Sequence, residues 1–264
     1  MLAKYAQKLH RLSKNICKGK YIFMSKQATE LDFQKWNKWR RSLDHIRIAL
    51  DDLDGKRRIH CEFLDILKKN KKLYKYSGHP FFDWTFKNCT VCLMIGIRRL
   101  VDVSSNELNL YKLLLDIEEN TQQITVDNYV RSCFPHDRNF SGNQLSKFRR
   151  AKYYGDANKA FKEAFGRARK ILMRRDVIRD KQIVKKFAKE YVERFVSECL
   201  VHFDKESKRR KYEGFKIRMV HECLDTLIEL YNKYAVLLRS KKLLLHKQTL
   251  VSLWDEPFRL PWIE

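Results

Sequence analysis

Residues 36–55 read WNKWRRSLDHIRIALDDLDG, with apolar side chains at Trp36, Trp39, Leu43, Ile46, Leu50 and Leu53. Steps of three and four place all six on one stripe of an α-helix and leave the charged residues on its other faces. Gly55 then marks a predicted helix end. The same period recurs outward from this segment. Ile59, Phe63, Ile66 and Leu67 predict a second helix that breaks in the stretch 71–79. Pro80 opens a third at its first turn, where a missing N–H costs little, and this one runs through Trp84, Val91, Ile95 and Leu100 to Asp102.

Ser104, Ser105 and Asn106 form a loop able to cap the next helix, 107–119, and Ile124 to Phe134 predict a short one ended by Pro135. Residues 135–144 (PHDRNFSGNQ) read as a long loop between helices. From Leu145 to Glu256 there is no proline. Ala157, Phe161, Ala164, Ala168, Ile171 and Leu172 stripe one predicted helix there, Ile183 to Val201 form another, and Ile217 to Leu238 the last long one. Residues 204–213 are a charged turn between the final two. The closing LWDEPFRLPWIE, 253–264, is broken by Pro257 and Pro261, and its Trp254, Phe258 and Trp262 are expected to dock it on the bundle. With only 8 Gly and 4 Pro in 264 residues, turn-formers are too few for a many-stranded sheet. The expected fold is an all-α bundle spanning 29–264 with an extended aromatic C-terminal tail. Residues 1–28 stand apart as a basic extension, because Leu2, Tyr5, Leu9, Leu12 and Ile16 mark a short amphipathic helix and Met24 offers a second start.

Charge narrows the choice of partner. The chain carries 56 Lys and Arg against 32 Asp and Glu, a formal +24. Self-repulsion of that size is relieved by a polyanion, so RNA or an acidic membrane surface met through 1–23 is the natural partner, with a merely solvated surface as the alternative. Residues 147–186 hold 15 Lys and Arg against four acids. Arg167, Lys170, Arg174 and Arg175 lie off the apolar stripe there, and Tyr153 and Tyr154 offer stacking faces, a pattern suited to phosphates and bases. The seven cysteines are scattered through apolar positions, the usage of a reducing, cytoplasmic compartment. Cys89 and Cys92 have the spacing of half a zinc site, but their neighbours Val91, Leu93, Met94 and Ile95 read as core, as do the surroundings of His221 and Cys223. No apolar run is long enough to cross a membrane. No phosphate-binding glycine loop, metal-binding histidine helix or serine elbow occurs, so no cofactor or metal is expected.

His202 falls on an apolar stripe with Val184, Ala188, Tyr191, Phe195 and Cys199. An imidazole titrates near neutral pH and serves as acid or base, which is what metal-free cleavage at a ribose 2′-OH requires. Asp204 is placed to orient that ring, or else is a solvated turn residue. Arg98, Arg99 and Asp102 form a second constellation: a local ion pair between Arg99 and Asp102, or an arginine reaching across the bundle.

Several segments in order resemble one family. They are the Trp-rich opening helix, GIRRLVD at 96–102, NELNLYKLLLDI at 106–117, LVHFD at 200–204, YNKYAVLL at 231–238 and the closing LWDEPFRLPWI. The chain resembles the HEPN-type proteins associated with abortive phage infection, in their AbiU-like branch. That resemblance implies a helical bundle that commonly forms a homodimer, a defence role, an antitoxin or toxin as protein partner, and in active members a metal-independent ribonuclease. It matches His202 to the family histidine. The family signature places four to six residues between an arginine and the histidine, whereas this chain has Phe195, Val196 and Ser197 at the positions where that arginine would stand. Arg194 lies one step too far back, about 80° around the helix from His202, where its long side chain would have to reach round; Arg98 or Arg99 reaching across the bundle is the other candidate substitute. The literal pattern also occurs as Arg40–His45, Arg131–His136 and Arg239–His246. The alternative is a bundle that binds RNA or a toxin or antitoxin without catalysis.

Overall fold

The stripe that begins at Trp36 runs on through the expected break at Gly55. In the computed structural model, helix α1 is continuous over Phe33–Lys69. Charge pairs hold it across the glycine: Asp52 meets Lys56, and Asp54 takes both Arg57 and Arg58 one turn on. Phe63 and Leu67 remain buried with the preceding stripe. A helical glycine costs about 0.5–1 kcal/mol, less than the about 1.5–3 kcal/mol gained by burying each of those side chains. Burial wins, and two expected helices are one.

The structure describes residues 32–69, 80–104, 107–133, 147–193 and 217–243. After α1 come α2 (Pro80–Val101), α3 (Leu110–Glu119), α4 (Val126–Arg131), α5 (Lys147–Phe165), α6 (Arg174–Phe187) and α7 (Ile217–Leu237). A π-helical turn, Ala188–Glu193, extends α6. Among the described residues there is no strand, only an isolated antiparallel bridge between Thr125 and Ile171. The all-α expectation holds. No helix among them is long and apolar enough to cross a membrane. The basic extension 1–28, the loop 135–144, the turn 204–213 and the aromatic tail 253–264 lie outside the described residues.

Three expected boundaries move, each for a local reason. Helix α3 starts at Leu110 rather than 107, because Asn109 is the cap: its side-chain oxygen accepts from the Lys112 amide at 2.9 Å, and its Nδ2 donates to the Asp102 carbonyl at 2.8 Å. Helix α5 ends at Phe165 because Gly166 turns left-handed, with φ 67°. Ala168, Ile171 and Leu172 therefore leave the helix, and the chain pairs instead with the segment before α4. The Val126 amide donates to Lys170 O at 2.9 Å, and that of Leu172 donates to Ile124 O at 3.0 Å. Helix α6 then begins at Arg174, well before the expected Ile183.

Helices α1 and α7 form the centre, with α2 against α1, α5 against α7, α4 against α5, and α3 against α6. Trp36 and Trp39 of α1 and Tyr231 and Tyr234 of α7 are among the largest fully buried side chains. At Gly96, α2 approaches α1 so closely that a Cβ would stand 2.3 Å from Leu53 Cδ2. Buried acids tie the outer helices on. Asp180 of α6 accepts from Lys233 Nζ at 2.5 Å and from the Tyr234 hydroxyl at 2.9 Å on α7. Glu118 of α3 receives Arg174 and Lys181 from α6. Breaking a buried pair by removing one partner typically costs about 3–5 kcal/mol, because the other charge is stranded.

Candidate nucleic-acid interface

Helix α5 repeats polar side chains at Tyr153, Asp156, Lys159 and Glu163, steps of three and four that put them on one face. Its other side packs Ala157 and Phe161 into the core. The exposed face forms one wall of a cleft of about 330 Å³; Tyr129 of α4 and the end of α7, with Val236, Arg239, Ser240 and Lys242, form the rest. Arg239 has an unusual backbone. Its φ is 57°, a left-handed conformation at the position after a helix where glycine is usual. The following Ser240 amide returns to Ala235 O at 2.8 Å, which closes the helix end and fixes that geometry. A non-glycine residue there costs roughly 1–2 kcal/mol, offset by the closed hydrogen bonds. The turn holds the guanidinium carbon 5.5 Å from the Tyr129 ring centroid. Burial pushes the Tyr129 phenol up, against the opposing charge of Arg239, so its hydroxyl stays protonated at neutral pH.

Arg239 and Lys242 face Asp156, Lys159 and Glu163 of α5 across this cleft, and Lys242 pairs with Glu163. The balance is mildly positive. Two tyrosine rings beside a planar guanidinium and a lysine offer stacking faces for bases and donors for phosphate oxygens.

The residues singled out from sequence divide among different places. Tyr153 lines the cleft, whereas Tyr154 donates its hydroxyl to Asp127 Oδ1 at 2.9 Å and joins α5 to α4. Arg167, Lys170 and Arg175 are exposed and form no ion pair among the described residues. Arg174 is 69% exposed, yet its Nη2 bonds Glu118 Oε1 at 3.1 Å, so it also fastens α6 to α3. Arg98 and Arg99 are exposed in the last turn of α2, and Asp102 accepts from the Ser104 amide at 2.8 Å and hydroxyl at 2.7 Å. His202, Asp204 and Arg194 lie outside the described residues, as do His136 and His246. Sequence reading missed Tyr129, Lys159, Arg239 and Lys242 as members of one surface. Only the literal Arg239–His246 pattern pointed to any of them.

A second cluster sits where α1, α2 and α7 meet. His60 and Cys61 of α1 and His221 of α7 bring their candidate ligand atoms within 4.8 Å of one another. The two imidazoles stand edge to face at 5.9 Å, and His60 also meets Phe86 of α2 at 5.6 Å. His60 is 3% exposed. Its Nδ1 and the Nε2 of His221 are buried without a hydrogen-bond partner among the described residues. Burial, then the neighbouring His221, holds His60 below the ordinary imidazole range. Burial and then Arg57 do the same for His221, against Asp225. Burial raises the Cys61 thiol, with Arg57 opposing. Arg57 itself is pinned between Asp54 and Asp225, which outweigh its desolvation and strengthen its charge.

Comparison with protein-family models, curated proteins and solved structures finds no match for this chain.

Proposed function

We propose that this chain is a phage-defence protein that acts on RNA, and that a single strand lies across the cleft between α4, α5 and the end of α7. The observation that carries the RNA reading is Arg239, held left-handed over Tyr129 in a cleft that also contains Tyr153 and Lys159. Strained non-glycine backbone persists where surrounding structure enforces it, and such positions cluster at binding sites. The formal +24 of the chain supplies long-range attraction for a polyanion. The defence role rests on the ordered resemblance to HEPN-type proteins. In its catalytic form, His202 acts as acid or base without a metal, Asp204 orients it, and Arg98, Arg99 or Arg194 stands in for the motif arginine.

A second reading is a bundle without catalysis that binds RNA or a toxin or antitoxin partner. It is favoured by Phe195, Val196 and Ser197, which occupy the positions where the motif arginine belongs. Two measurements separate the readings. Wild type and His202→Ala are incubated with total RNA in EDTA; cleavage by wild type alone supports the nuclease, and cleavage by neither supports the binding bundle. Anisotropy with a labelled single-stranded RNA tests the cleft. Tyr153→Ala and Arg239→Gln should each weaken binding by about tenfold, within the range of about 1–3 kcal/mol for removing one base–aromatic stack. Unchanged affinity in both variants would remove the strand from this cleft.

A further inference from the structure

We propose that His60, Cys61 and His221 bind one thiophilic divalent cation, zinc above all, and that the ion clamps α1 to α7. The placement is selective. Adjacent residues such as His60 and Cys61 diverge by about 100° around a helix, so both reach one point only in the groove beside α1. His221 enters that groove from α7, and the candidate ligand atoms lie within 4.8 Å of one another. Tetrahedral zinc bonded to nitrogen at about 2.0–2.1 Å and sulfur at about 2.3 Å needs ligand separations of about 3.3–3.8 Å. A contraction of about 1 Å through side-chain torsions closes the site.

The polar atoms give the second reason. His60 is almost wholly buried, yet its Nδ1 has no hydrogen-bond partner among the described residues, and neither has the Nε2 of His221, whose ring centroid stands 5.9 Å away. Buried polar atoms are nearly always satisfied, and a shared cation satisfies both at once. Two imidazoles and a thiolate are a borderline-to-soft set, suited to zinc or cobalt; calcium and magnesium require oxygen ligands. The cationic neighbour does not forbid a metal, because Arg57 is already bound by Asp54 and Asp225. Three protein ligands leave the fourth position to solvent. His221 lies about 22 Å along α7 from Val236 at the cleft, taking 1.5 Å per residue, so this inference stands apart from the RNA-binding proposal.

The test uses the full chain, equilibrated with zinc and desalted. Metal analysis should give at least one zinc per chain in wild type, with one equivalent fewer in Cys61→Ser and in His60→Gln/His221→Gln, each checked for helicity by circular dichroism. Wild type alone supplies a readout independent of those variants. Zinc should slow iodoacetamide alkylation of Cys61 at least about tenfold, as mapped by peptide mass, and leave the exposed Cys92 unchanged. In the cobalt-loaded chain, a thiolate-to-cobalt absorption band should disappear in Cys61→Ser. Zinc bound without protection of Cys61, or equal zinc content in wild type and both variants, overturns the assignment.

Discussion

Glu118 receives Lys181 and Arg174 from α6 while remaining only 8% exposed. The Lys181 bond, more than the Arg174 bond, holds its carboxyl below the usual glutamate range despite partial desolvation. Its contribution to stability is therefore fully present above the unfolded-state value of about 4.3 and is lost as pH falls through the lower folded value. Urea midpoints measured from pH 7 down to pH 3 should show Glu118→Gln less stable at neutral pH, with a gap that narrows on acidification. A gap that stays constant or widens with acid would refute that account. The sequence showed the cationic excess of 147–186 but not its use. Arg169 goes to Asp176, and Arg174 and Lys181 go to Glu118, so part of a run that reads as a binding face fastens the bundle. Of the four cations read as a binding face, Arg167, Lys170 and Arg175 are exposed and form no ion pair among the described residues. Partners up to 63 positions away made that division, which local spacing does not encode.

At the scale of helices, two glycines test the same backbone in opposite contexts. A Cβ added to Gly55 meets nothing within 4 Å, while one added to Gly96 runs into all three outer carbons of Leu53. Gly55→Ala should raise stability by about 0.5–1 kcal/mol through helix propensity. Gly96→Ala should lower it by about 1 kcal/mol or more, since overpacking against the buried Leu53 outweighs the same propensity gain. Thermal melts of the two variants should move in opposite directions; a stabilised Gly96→Ala would show that Leu53 has room to yield. Periodicity made the existence of nearly every described helix legible, because burial on one face imposes a 3.6-residue repeat. It misjudged ends. The break expected at Gly55 is bridged by Asp52, Asp54 and their partners, and the stripe from Ala157 to Leu172 is cut at Gly166, after which Ile171 bridges to Thr125. Glycine weakens a helix by an amount that one buried side chain can outweigh, so its effect depends on neighbours.

For the whole molecule, the proposed RNA binding should depend on salt, because the chain carries a formal +24. Logarithmic plots of affinity against salt should slope steeply for wild type. The triple change of Arg167, Lys170 and Arg175 to Gln should make the slope shallower by about 2, at about 0.7 for each single-strand phosphate no longer neutralised. An unchanged slope would show that the strand does not extend from the cleft onto these three residues. By itself, the sequence determined the helical class, the positive charge and the stripes that face inward, since each follows from composition or from spacing along one element. Tertiary structure alone decided that Tyr129, Tyr153 and Arg239 share a cleft, and that His60 and Cys61 meet His221 across 160 residues of chain. Those meetings depend on which helix packs against which, a property of the packed side chains of several segments together and not of any one segment's pattern.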